Sequence, residues 1–243
     1  MTAATIKINN FLLSKILKIV NDINSEVLIS FSNNIQIKTM DPSHSSFLSV
    51  ILSKGAYSEY KKSEDFDISF DLEILKQVSE RSERSKIQEI SLDFSDTHIR
   101  FFEEGPTGSV FDLNVYSSTS TKNFTPKFHA ITELKSDSTL ILEGLKKLSI
   151  ISDFFDIANN DGNVIFHSKE AVYGEGVFIV GTAKKFSSEK DYYRISPLKE
   201  ILDLVPEKTK ISFEMAERHV LKISFSFSNV AFIIVMAASM PNN

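Results

Sequence analysis

The side chains in this sequence that could do chemistry are five histidines and a scatter of carboxylates, with no cysteine among them. His44, His98, His129, His167 and His219 stand far apart with no metal-ligand spacing. The lack of cysteine removes thiolate nucleophiles, disulfides and cysteine-ligated metals together. Glu103 and Glu104 are adjacent carboxylates that run into Gly105 and Pro106, which reads as a solvated hairpin turn rather than a paired general acid and base. The Gly-Glu-Gly run at Gly174 to Gly176 enters a strand-like segment instead of a helix, so it is no dinucleotide fingerprint. No catalytic residue, metal or cofactor is expected. What remains is positive charge on helices. Lys15, Lys18, Lys76, Arg81, Lys146, Lys147 and Lys199 could make sequence-independent contacts to phosphates, provided the fold turns them to one surface.

The elements that must position those groups are legible in the hydrophobic pattern. At 100° per residue, Leu12, Leu13, Ile16, Ile19, Val20 and Ile23 fall in one apolar sector of a helix over 10–23, with Ser14, Lys18 and Asn21 opposite and Lys15 flanking them. VLISFS and IQIKTM alternate on either side of Asn33 and Asn34 and read as a hairpin, followed by a strand in SSFLSVIL. DFDISF precedes a helix over 72–84 with Leu72, Leu75 and Val78 inward; EISLDF, THIRFF and SVFDLNVY follow as strands. After a Ser/Thr-rich stretch the order returns. FHAITEL is a strand, 138–149 a helix with Ile141, Leu145 and Leu148 inward, and FFDIA and NVIFHS a hairpin around Asn160, Asp161 and Gly162. GVFIVGT, a helix over 196–204, and the strands KISFEM, VLKISFSF and VAFIIVMAA complete the chain.

The two helices of each half start about 60 residues apart, so the pattern is duplicated. The expectation is an α+β fold of two topologically similar domains, 1–116 and 128–243, each with two helices on antiparallel sheet, joined by a linker over 117–127. At 243 residues and 42% hydrophobic content the chain can bury a core of that size. A net charge of -5 excludes the global signature of an electrostatically held nucleic-acid binder, so any such contact must be local or topological. No apolar run approaches the roughly 20 residues of a membrane helix, and the start MTAATIKINN has no signal-peptide pattern, so a cytoplasmic protein without membrane contact is expected, nuclear in a eukaryote. SVFDLNVY and GVFIVGT carry little charge for sheet edges. Two different open edges on one chain would pair head to tail between copies, through Val110, Phe111, Leu113 and Val115 on one side and Val177, Phe178, Ile179 and Val180 on the other.

The run Met40, Asp41, Pro42, Ser43, His44, placed after the first helix and hairpin, resembles the MDxSH segment of the sliding clamps of the proliferating cell nuclear antigen (PCNA) family, in an archaeal-like form. FLLSKILKIVNDINSEVLISFS resembles that family's opening helix and strand, FDLEILKQV its second helix and AFIIVMAASM its closing strand, so the likeness spans essentially the whole chain. The resemblance implies a trimeric ring, of this chain or with paralogues, around double-stranded DNA, with the helices lining the hole and no catalysis. It implies partners that dock through short peptide motifs: DNA polymerase, clamp loader, ligase and nucleases. The groove for them would fall to Met40, His44, Phe124, Pro126, Val235, Met236 and Ala237.

The chain departs from the family at two places. Met236, Ala237, Ala238 and Ser239 stand where a Leu-Ala-Pro-Lys-like turn is usual, and the linker lacks the family's acidic and aliphatic pattern, which predicts a shallower groove. Two other functions compete with a replication clamp. One is a clamp-fold paralogue or heterotrimer subunit for damage signalling or viral replication; the other is an enzyme on a duplicated α+β fold.

Overall fold

A computed structural model describes residues 2–105, 108–115, 126, 128, 130–182, 191–216 and 220–239, with only the backbone of Ile131, Thr132 and Asn160. Its contacts divide the chain into two compact units, one of Met1–Pro42, Leu48–Thr125 and Ser228–Ala231, the other of Ser43–Phe47, Pro126–Phe227 and Phe232–Asn243. Apart from Pro126, the linker over 117–127 lies outside the described residues, and so do Tyr116 and Phe124.

In the first unit, β1 (Ala4–Asn9) leads directly into α1 (Asn10–Asn21), followed by β2 (Glu26–Phe31), β3 (Ile35–Met40) and β4 (Ser46–Leu52). Then come β5 (Glu59–Lys62), β6 (Phe66–Asp71), α2 (Glu73–Arg84), β7 (Glu89–Phe94), β8 (His98–Glu103) and β9 (Val110–Asn114). One sheet runs β5-β1-β7-β8-β9 and a second run of neighbours is β4-β3-β2-β6. The pairings are antiparallel, with Ile6 opposite Leu92, Ile29 opposite Ile37 and Phe101 opposite Phe111. The sequence expectation omitted β1 and β5. In β1 the period is present, since Ala4, Ile6 and Ile8 are buried while Thr5 and Lys7 are not, but it spans only six residues. β5 reads Glu-Tyr-Lys-Lys and has no period to find.

The second unit repeats the plan with β10 (Ala130–Asp137), α3 (Ser138–Leu148), β11 (Phe154–Asn160), β12 (Asn163–Glu170), β13 (Gly174–Thr182), β14 (Tyr193–Arg194), α4 (Ile195–Leu204), β15 (Lys210–Ala216), β16 (Val220–Phe227) and β17 (Val230–Ala237). Its strands form one run β10-β15-β16-β17 and a sheet β13-β12-β11-β14. Asp161 and Gly162 take φ of 51° and 85° at the β11–β12 turn, as a two-residue hairpin of type I′ requires.

Local chemistry starts the helices in parallel ways. The side chain of Asn9 accepts from the Leu12 N–H at 3.1 Å and that of Asp137 from the Leu140 N–H at 3.0 Å, so α1 and α3 each begin with a cap that follows directly from a strand. Asp71 accepts from the Glu73 N–H at 2.8 Å at the start of α2. α4 has no side-chain cap, and Pro197 sits in its first turn, where a missing N–H costs nothing.

Burial follows the predicted sectors with one correction. Leu13, Ile16, Ile19 and Val20 are buried, but so is Ser14, which the wheel placed opposite them, while Leu12 is only partly covered. α1 is covered on two sides, because α2 packs beside it as well as the sheet beneath it, and a single-sector reading cannot see the second neighbour. In the first core Phe31 stacks on Phe66 at 4.5 Å and tilts against Phe94. In the second, Phe166 meets Phe155 at 4.7 Å and Phe213 at 5.8 Å.

Candidate functional site

β9 ends the five-stranded sheet of the first unit and β13 ends the four-stranded sheet of the second. Strand alternation then sorts the residues expected at the subunit contact. On β13, Val177 and Ile179 are each 55% exposed, whereas Val180 is fully buried. Phe178 turns to the helix side. Its ring lies on Gly144 of α3, where a Cβ would come within 2.6 Å of it, and the Lys147 ammonium is 5.1 Å from the ring centroid. On β9, Val110 is exposed, Phe111 and Leu113 are partly covered, and Val115, just past the strand, is buried. Val115 and Val180 therefore belong to their own cores and offer no side chain to a partner, a consequence of the period of two in extended chain.

β13 exposes Val177 and Ile179 on the face that also carries Glu175, and β9 exposes Val110 on the face that carries Asp112. Asp112 on β9 is held by Arg100 of β8 through two bonds, Nε to Oδ1 at 2.7 Å and Nη2 to Oδ2 at 3.3 Å. That hydrogen bond, reinforced by the guanidinium charge, holds the Asp112 carboxyl below its ordinary range and raises Arg100. On the sheet of β13, His167 bridges two carboxylates, with Nδ1 2.8 Å from Asp156 and Nε2 2.9 Å from Glu175. This cluster was invisible in sequence because its members lie on three strands and meet only through the β11–β12–β13 register.

The expected phosphate contacts all lie on the four helices, yet most are already paired. Lys18 is 3.9 Å from Glu83, Lys76 3.3 Å from Glu73, Lys146 2.6 Å from Asp203 and Lys147 2.6 Å from Glu143. The Glu73 carboxyl is pulled below its ordinary range, first by a hydrogen bond from Gln77 and then by Lys76. Lys15 lies over the Phe11 ring at 4.6 Å. Lys15, Arg81 and Lys199 have no ion pair among the described residues, and neither does Arg84, an exposed cation that the sequence reading passed over.

The residues expected to hold partner peptides are sorted differently. Met40 ends β3 partly covered and Pro126 is partly covered. His44 is exposed and adopts φ 58°, a left-handed conformation that closes the Met40 to His44 turn. Ala237 is exposed at the end of β17, with its N–H donating to the Ser45 carbonyl at 2.8 Å, and Ser239 bridges Tyr192. Met236 is 2% exposed and Val235 9%, so the expectation that these two line an open groove is corrected: both are core side chains of β17.

A cavity of about 510 Å³ opens beside α3 and α4 of the second unit, floored by Leu142, Ile150, Leu202 and Val205. The Ser138 hydroxyl that lines it donates to the Pro206 carbonyl at 2.9 Å. Among the described residues no group of three or more His, Asp or Glu side chains is placed to hold a metal ion, and no helix is long and apolar enough to cross a membrane.

Comparison with solved structures decides the fold. A crystal structure of PCNA from Thermococcus kodakaraensis superposes with a TM-score of 0.84, covering 97% of this chain and all of that one at 13% identity. The protein has the DNA clamp fold. A. fulgidus PCNA bound to the C-terminal region of FEN-1 superposes with a TM-score of 0.83 over 99% of this chain and all of that chain at 12% identity. In sequence this clamp-fold chain is 20% identical over 220 residues to the DNA polymerase sliding clamp of Methanococcus maripaludis strain C5, covering 84% of this chain and 86% of that protein. The sliding clamp of Methanococcus vannielii is 19% identical over 212 residues, covering 84% and 85%. No family model matches the clamp-fold chain.

Proposed function

We propose that this protein is a DNA sliding clamp: a trimeric ring of identical or paralogous chains that encircles duplex DNA and tethers DNA polymerase and other replication and repair enzymes, with no catalytic step of its own. The observation that carries the reading is the pair of strands that end their sheets in different units, β9 and β13, on a chain with the clamp fold. Ladder bonds between β9 of one copy and β13 of the next make a heterologous contact, and such contacts close into a ring when the rotation per subunit allows. Phe111 and Leu113 of one copy would then meet Phe178 of the next on the helix-covered face, with Val110 near Val177 and Ile179 on the other. A ring held by topology explains how a chain with a net charge of -5 works on DNA, and a tether raises the local concentration of its partner without tight chemistry.

In this reading 1–116 and 128–243 are the two clamp domains and 117–127 connects them. Partner peptides, including those of the loader, ligase and nucleases, dock near the His44 turn and Ala237. The FEN-1 segment bound by the A. fulgidus protein supports a peptide mode of docking.

Light scattering of the purified chain tests self-assembly. A mass three times 27.4 kDa is expected, and the Val177→Lys variant, which places a charge on the β13 edge, should run as a monomer with an unchanged circular dichroism spectrum. A monomeric wild type at micromolar concentration would exclude the homotrimer. Docking is tested by calorimetry with a short aromatic-anchored clamp-binding peptide: Ala237→Arg should weaken it at least tenfold, and equal affinity would place the peptide elsewhere.

A further inference from the structure

The two helix pairs are alike in fold and unlike in charge. α1 and α2 carry five basic side chains, Lys15, Lys18, Lys76, Arg81 and Arg84, against three acidic ones; α3 and α4 carry three of each. Exposure sharpens the contrast. On α2 the two arginines are exposed while Glu73, Glu80 and Glu83 are partly covered. On the second pair the three acids, Glu143, Glu200 and Asp203, are all exposed, and two of the three lysines are spent on them. A phosphate can recruit Lys146 or Lys147 only by displacing a carboxylate bonded at 2.6 Å, which then stays beside the phosphate as a repelling charge. Arg81 and Arg84 have no carboxylate to displace among the described residues. Their guanidinium groups are always charged, and each can grip phosphate oxygens through two parallel N–H bonds. Asp22, exposed at the end of α1, is the acid on the first pair that faces solvent as openly.

We infer that phosphate contact with duplex DNA is carried by the α1/α2 face, through Lys15, Arg81 and Arg84, and that the α3/α4 face contributes little. The inference rests on the clamp reading and narrows it. Of the seven expected cations Lys15 and Arg81 stay and Arg84 joins them, all on the helices of the first unit, while Lys146 and Lys147 are left out.

The test compares two triple variants that remove the same amount of charge. One is Lys15→Gln with Arg81→Gln and Arg84→Gln; the other is Lys146→Gln with Lys147→Gln and Lys199→Gln. Fluorescence anisotropy with a short linear duplex is measured over a salt series, alongside the oligomer mass and circular dichroism of each protein. The first variant is expected to lose about tenfold in affinity at low salt, and its plot of log affinity against log salt should flatten by about two to three, at roughly 0.9 per phosphate contact. The second is expected to lose about twofold or less with its slope kept. Equal losses in two intact trimers, or a larger loss in the second, overturn this inference and leave the clamp reading standing. A wild type that binds no duplex at low salt overturns this inference too, whereas the clamp reading stands or falls on the oligomer mass.

Discussion

The interfaces between helices in the two units solve one packing problem with different chemistry. Between α1 and α2 the contact is fastened by a buried polar clasp. The Asn10 amide donates to the carbonyls of Ser79 at 3.3 Å and Ile87 at 3.2 Å, and the Ser79 hydroxyl donates back to Asn10 at 3.0 Å. α3 and α4 also pack on each other, and apart from Ser138 and Gly144 the residues they bury are apolar: Ile141, Leu145 and Leu148 on α3, and Ile195, Leu198, Ile201 and Leu202 on α4. An apolar contact tolerates sliding and depends on volume; a clasp fixes register and fails if one partner is lost. The difference teaches that the duplicated pattern preserved which face is covered and left the means of covering it free to diverge.

The largest effect is expected in the apolar pair. Leu145 is fully buried, so Leu145→Ala should cost about 3 kcal/mol in urea unfolding, with a residual cavity adding to lost transfer energy. Asn10→Ala in the polar pair should cost about 2 kcal/mol, because it strands the Ser79 hydroxyl and two carbonyls. Adding Ser79→Ala to it should recover part of the loss, and simple additivity in that cycle would show that the clasp is no unit. Gly144→Ala comes next. Its Cβ collides with the Phe178 ring, so α3 and β13 must part despite the better helix propensity, costing about 1 kcal/mol; a stabilised variant would mean that the ring moves freely.

Two smaller predictions probe the same contrast. Ser14 is fully buried and its hydroxyl has no hydrogen-bond partner among the described residues, so Ser14→Ala should stabilise the first pair by about 1 kcal/mol or less, read as a rise in Tm. At the edges, Arg100 holds the exposed Asp112 carboxyl below its ordinary value of 3.8. A depressed carboxylate contributes stability that is present above that value and lost as pH falls through the lower, folded one. Wild type and Asp112→Asn should thus differ slightly at neutral pH and converge in acid, whereas a gap that widens in acid would remove the pair from the account of the β9 edge.

How much was legible can be argued from particular residues. The four helices, both hairpins and the two edge strands were readable because each rests on a local period, helped at the β11–β12 turn by the positive φ of Asp161 and Gly162; at the β2–β3 turn Asn33 and Asn34 take no positive φ. The candidate site was less so. Arg84 looked like one more charge at a helix end, and Lys146 looked available because its partner Asp203 lies on another helix, 57 residues away. Met236 was assigned to the groove through the resemblance to the family's closing strand, although the side of β17 on which it falls depends on what covers that strand.

The sequence by itself determined the period of each element, the duplication, the absence of thiol chemistry and the low charge of the edges, since these are properties of neighbours along the chain. Tertiary structure alone decided which cations are spent, which hydroxyls are buried and which edge side chains stay exposed. Lys147 meets Glu143 one turn away but also lies over Phe178 on β13, and His167 gathers Asp156 and Glu175 from two other strands. Electrostatics and burial depend on distance in space, and a linear sequence encodes that distance only through the fold.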